Sequence, residues 1–99
     1  GTINSILLTS AELELTAMAA SFITITEAKN IALQEMDVRS TFNPEWQATG
    51  TGTDEIMVIS GKGNKYAYVG GHTKIGQLMA KAVTSATVCS IEKNFGNDR

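Results

Sequence analysis

Apolar residues gather in four stretches of this chain, and their rhythm changes from one stretch to the next. Residues 3–9 (INSILLT) carry Ile6, Leu7 and Leu8 in succession and read as a first strand, bounded by TSAE. From residue 11 to residue 37 the spacing becomes threes and fours: Leu15, Met18, Phe22, Ile25, Ala28 or Lys29, and Ala32. That period predicts a long helix. The β-branched cluster FITIT within it lowers helix propensity by only a few tenths of a kcal/mol per residue, so the period prevails. Thr9 followed by Glu12 predicts a capping box, with Glu14 as a later alternative cap.

Residues 39–54 read as loop and hold the only proline, Pro44, and the only tryptophan, Trp46. EIMVIS (55–60) predicts a second strand, GKGN a hairpin turn, and KYAYVG (65–70) a third strand. A second helix opens after GGHT. Its apolar stripe is Ile75, Leu78, Met79, Ala82, Val83 and Ala86, and Thr73 or His72 is its N-cap. The last residues, FGNDR, are expected to fray.

The order β-α-β-β-α predicts an α+β fold, a two-layer sandwich in which two helices cover one face of a small mixed sheet. A strand-helix-strand unit makes the first two strands parallel, and the hairpin makes the third antiparallel to the second. The strands are apolar on consecutive residues, which signals burial on both faces. Two helices cover only one. The second face is therefore expected to be covered by a partner subunit, as in a homo-oligomer, or by a missing segment. The abrupt opening of the strand after Gly1 agrees with a single domain, 1–99, that is part of a longer one.

Composition removes several function classes. The chain is 42% hydrophobic and 18% charged with net charge −2, the balance of a folded globular protein. It has no basic cluster, so no nucleic-acid partner is expected. Its apolar runs are too short to span a bilayer, and no signal peptide is visible, so a cytoplasmic location without membrane contact is expected. Cys89 is the only cysteine and excludes an internal disulfide. One His and one Cys cannot build a typical zinc site within the chain, and no metal or cofactor is expected.

The polar residues suggest a site. If the second and third strands form a hairpin, ATGTGTDE (48–55) lies beside GGHT (70–73) at one end of the sheet. Asn4 and the end of the first helix fall there too. His72, Asp54, Thr51 and Thr53 would then meet the free N–H groups that open the second helix, giving an acid/base, hydroxyls and donors for developing negative charge. Singly, each has a plainer reading: His72 as a cap or surface residue, Asp54 as a turn residue, the threonines as bonded to their own backbone, Trp46 as a packing lid, and Glu27 and Lys29 as a solvated pair. The glycines fit neither standard phosphate motif. TGTGTD precedes a strand and lacks the Lys-Ser/Thr ending, and YVGGHTKIG lacks the dinucleotide spacing.

Four segments, GTINSILLT, ITITEAKNIALQEMDVRS, ATGTGTDEIMVISG and YVGGHTKIGQLMAKAV, together resemble the adenosylcobinamide amidohydrolase family of corrinoid salvage. The resemblance covers most of the chain and is to the C-terminal half of a longer family protein. It implies a corrinoid substrate, adenosylcobinamide, whose amide to the aminopropanol arm is hydrolysed to give adenosylcobyric acid. It also implies site segments at 49–54 and 70–74. On this reading His72, Asp54, Thr53 and Thr51 are the catalytic candidates. Thr49, Gly50, Gly52, Gly70, Gly71, Thr73, Lys74, Glu27 and Asn4 are the substrate-binding candidates. Two alternatives stay open. One is an N-terminal threonine nucleophile, Thr2, exposed by cleavage after Gly1. The other is a non-catalytic corrinoid-binding or structural module lacking the family's N-terminal half.

Overall fold

The structure, a computed structural model, describes residues 2–50 and 54–95. Six elements follow in order: β1 (Asn4–Leu8), β2 (Glu12–Leu13), α1 (Leu15–Glu35), β3 (Glu55–Ile59), β4 (Lys65–Tyr66) and α2 (Lys74–Phe95). The fold is a small α+β arrangement, as the pattern predicts, but its strand pairing differs. β1 pairs with β3 in parallel, in the register Asn4 with Glu55 through Leu8 with Ile59. β2 pairs with β4, also in parallel.

The predicted hairpin does not form. GKGN does not fold the chain back onto β3. Instead it follows the segment between β1 and β2. Gly61 N–H donates to the Ala11 carbonyl (2.9 Å), Gly63 N–H to the Ser10 carbonyl (2.7 Å) and Glu12 N–H to the Asn64 carbonyl (2.9 Å). Residues 4–14 and 55–66 therefore run alongside each other through both ladders, with one irregular step between them. A Cβ at Gly61 would sit 2.7 Å from the Ser10 carbonyl carbon. These glycines thus serve a close approach between two segments of the chain, and no antiparallel pairing joins the named strands. The third strand shrinks to Lys65–Tyr66, after which Tyr68 is exposed and Val69 fully buried.

The long helix is present and includes FITIT, but it starts at Leu15. The capping box is absent. Thr9 Oγ1 accepts from the Ala11 N–H, Glu12 joins a strand, and Glu14 stands at the N-cap without a side-chain cap bond. At the other end Asp37 takes a positive φ of 53°, a conformation Asp tolerates better than most residues. The buried stripe is also rotated from the predicted one. Ala17, Ser21, Thr24, Ile25, Ala28, Lys29, Ala32 and Leu33 are buried, whereas Leu15 and Phe22 are exposed. Small residues win this face because other backbone lies close against it. Thr24 Oγ1 donates to the Val69 carbonyl (3.0 Å) and Thr84 Oγ1 to the Ala28 carbonyl (3.3 Å).

α2 buries Gly76, Met79, Val83, Thr87 and Ile91, a step of three and then steps of four, keeping Met79 and Val83 from the predicted stripe. Leu78, Ala82 and Ala86 of that stripe are exposed. The core joins Leu7 of β1, Leu13, Ala17, Ile25 and Ala28 of the first half, and Val69, Met79 and Val83. Ser5, Leu7, Ile56 and Val58 turn toward the helices. The opposite face of the β1–β3 ladder carries Ile6, Leu8, Met57 and Ile59 and lies open. The two-sided apolar pattern of the strands is therefore real, with one face uncovered among the described residues.

Candidate functional site

Two polar clusters stand at opposite ends of β1. The first gathers where β1 and β3 begin. Asp54, just before β3, accepts the Ile3 N–H through Oδ1 (2.8 Å). Its Oδ2 accepts from the Lys29 ammonium of α1 (3.2 Å), and both side chains are nearly buried, at 11% relative exposure each. The pair ties the start of both strands to the second half of α1. Gly50 closes over it with φ +133°, and a Cβ there would come 2.7 Å from Lys29 Nζ and closer still to Asp54 Oδ2. The conformation alone makes a side chain strained at this position, and one would also push on the Lys29–Asp54 pair. The 39–48 loop seals the same end: Arg39 and Gln47 form an antiparallel bridge, and Ala48 N–H donates to the Val38 carbonyl (2.9 Å).

The second cluster surrounds the start of α2. Thr73 is its N-cap in full: the hydroxyl accepts the Gly76 N–H (3.0 Å) and donates to the Gly70 carbonyl (2.7 Å). His72 is exposed, its ring over Gly70. Lys74 opens the helix on a groove of about 340 Å³, lined by Leu7, Leu8, Thr9, Ser10, Tyr66, Ile75 and Leu78 among others. The groove therefore sits at the carboxyl end of β1. In open parallel α/β sheets, ligands favour the carboxyl ends of the strands.

A model of the family described as adenosylcobinamide amidohydrolase matches residues 1–98. The chain belongs to the adenosylcobinamide amidohydrolase family. An uncharacterized protein of Methanocaldococcus jannaschii is 54% identical over 93 residues, which cover 94% of this chain and 36% of that protein. The adenosylcobinamide amidohydrolase of Methanosarcina mazei is 33% identical over 102 residues, covering 93% of this chain and 47% of that protein. The chain thus spans less than half the length of either curated relative. No solved structure matches it.

For this member of the adenosylcobinamide amidohydrolase family, the predicted site residues divide between the two clusters. Asp54, Gly50 and Asn4 lie at the first, with Thr49 exposed beside Gly50. Gly70, Gly71, His72, Thr73 and Lys74 lie at the second. Thr51, Gly52 and Thr53 fall outside the described residues. Glu27 is exposed on α1, while Lys29, read from sequence as its solvated partner, is buried against Asp54. No hydrogen bond or ion pair joins His72 to Asp54 among the described residues. The expected convergence depended on the hairpin. With β4 parallel to β2, GGHT is carried toward the carboxyl end of β1, about 13 Å from its start for five residues of strand.

Thr9, Ser10 and Tyr66 line the groove and were not among the site residues expected from sequence, Thr9 having been read only as a helix cap. The available signal was the position of TSA at the carboxyl end of a parallel strand. Among the described residues, no group of three or more His, Cys, Asp and Glu side chains is placed to hold a metal, and no helix is long and apolar enough to cross a membrane.

Proposed function

We propose that this chain takes part in hydrolysing the aminopropanol amide of adenosylcobinamide, releasing adenosylcobyric acid. The observation that carries this reading is the family match over residues 1–98. The M. mazei relative bears the name of the activity, which supports the substrate class.

The groove at the start of α2 is the site we favour for the chemistry. His72, exposed two residues before the groove-lining Lys74, serves as general base, taking a proton from water as the water oxygen bonds to the amide carbon. The C–N bond then breaks, and His72 returns the proton to the departing amine. Lys74 and the helix N-terminus supply positive potential for the oxyanion. Thr73, whose hydroxyl is already committed to the cap, fixes the direction of that N-terminus. Asp54 has one oxygen on Lys29 and the other on the Ile3 N–H, and in this proposal it acts as a positioning group for the strand starts. Thr49 and Gly50, with Thr51, Gly52 and Thr53, are proposed to contact the substrate from that end.

Incubation with adenosylcobinamide, followed by mass spectrometry for adenosylcobyric acid and aminopropanol, tests the reading. His72→Ala is expected to lower kcat by about 10²–10⁴-fold while leaving the unfolding midpoint unchanged. Full activity in that variant removes His72 from the mechanism.

The coverage of the relatives supports a second reading: less than half of either is represented here, so this chain binds the corrinoid while the rest of the family domain completes catalysis. Corrinoid binding without turnover selects that reading. The absence of both binding and turnover defeats both readings.

A further inference from the structure

The open face of the β1–β3 ladder carries Ile6, Met57 and Ile59, which take no part in the groove, and Leu8, which also borders it. Ile6 stands opposite Met57 and Leu8 opposite Ile59, so all four side chains share one face. They are 70, 56, 74 and 43% exposed respectively. Parallel sheets are normally covered on both faces. A two-stranded ladder also leaves both edges open to further pairing.

The size of the patch selects among occupants. Two five-residue strands make a small face, roughly 17 by 10 Å in outline. A stable interface between separate proteins buries about 800 Å² per partner. A second copy laid on this face has to bury further surface beyond the ladder to reach that. A segment of the same family domain does not meet that requirement, because a tether raises its effective concentration. The relatives carry further chain outside the match: the matched region is 36% of the M. jannaschii protein and 47% of the M. mazei protein.

We propose that the face formed by Ile6, Leu8, Met57 and Ile59 is the docking surface for the part of the family domain outside residues 1–99. That part adds at least one strand to a free edge of the ladder and lays apolar side chains over the four residues. Leu8 borders the groove as well, but Ile6, Met57 and Ile59 carry this proposal without the hydrolytic reading.

Thiol labelling tests it. Met57→Cys is made with Cys89→Ser, both in the 99-residue chain and in the M. jannaschii relative whose matched region is replaced by this chain. A maleimide is expected to react with Met57→Cys at least about tenfold more slowly in the joined protein, because the thiol is reached only when the cover opens. Lys81→Cys, at an exposed position on α2, is expected to react equally in both. Equal rates at Met57→Cys in the two settings overturn the proposal. So does protection that appears in the 99-residue chain alone and grows with its concentration, which assigns the face to a second copy. Should the joined protein not fold, the remainder of the relative is added in excess as a separate polypeptide; Met57→Cys labelling that does not slow there overturns the proposal as well.

Discussion

Replacing Gly76 by alanine should destabilise the protein, although glycine inside a helix ordinarily disfavours it. In an isolated helix the change would gain about 1 kcal/mol. Here the first turn of α2 lies against the chain that leads into it. A Cβ at Gly76 would sit 2.7 Å from the Gly70 carbonyl carbon and closer still to the Val69 and Gly70 oxygens. Backbone cannot rotate out of the way as a flexible side chain can, so the helix start must shift. Overpacking of this kind costs about 1–3 kcal/mol. The shift also strains the cap, since the Thr73 hydroxyl and N–H both donate to the Gly70 carbonyl, and losing a cap costs about 1 kcal/mol more. Set against the propensity gain, the net loss is about 1–3 kcal/mol.

Urea unfolding followed by circular dichroism measures this as a midpoint lower by about 1–2 M at unchanged m. Gly71→Ala is the control, because a Cβ there meets nothing within 4 Å. It should stay within about 0.5 kcal/mol of wild type. A Gly76→Ala protein as stable as wild type, or as Gly71→Ala, would refute the tight seating of α2 on residues 69–70.

Two more perturbations probe the packing. Lys29→Met and Asp54→Asn each remove one side of a nearly buried ion pair and should cost up to about 3–5 kcal/mol singly. The double variant should recover about 1–3 kcal/mol of their sum in urea unfolding, and a cycle with no coupling would show that the pair is not formed. Ile25 is fully buried, so Ile25→Ala should cost about 2–5 kcal/mol and Ile25→Val about 0.5–1.5 kcal/mol; equal effects would mean that the site collapses around the smaller side chain.

Much of the element order was legible because it rests on local rules. The period of three and four located α1 and α2, and the apolar runs located β1 and β3. The parallel pairing of β1 with β3 followed from the helix between them. GKGN misled because glycine-rich turns and glycine-rich close approaches look the same in sequence. Only the Ser10 and Ala11 carbonyls that receive its N–H groups distinguish the two. The rotation of the α1 stripe had the same kind of cause: period fixes that a helix has a buried face, while the neighbours decide which residues occupy it. Leu15 lost its expected place to Ala17 and Ser21 because the residues packed there must be small.

The candidate site shows the same division. The sequence by itself determined which groups are available: one histidine, an aspartate before the second long strand, and a threonine and lysine opening the last helix. It also determined that the long strands are apolar on both faces, since that is a property of consecutive residues. Tertiary structure alone decided that Lys29 and Asp54 neutralise each other at the start of the strands while His72 and Lys74 gather toward the other end of β1. The reason is pairing direction. A strand's side-chain alternation is the same whether its neighbour runs parallel or antiparallel, and only the hydrogen bonds between chains fix which end each loop reaches.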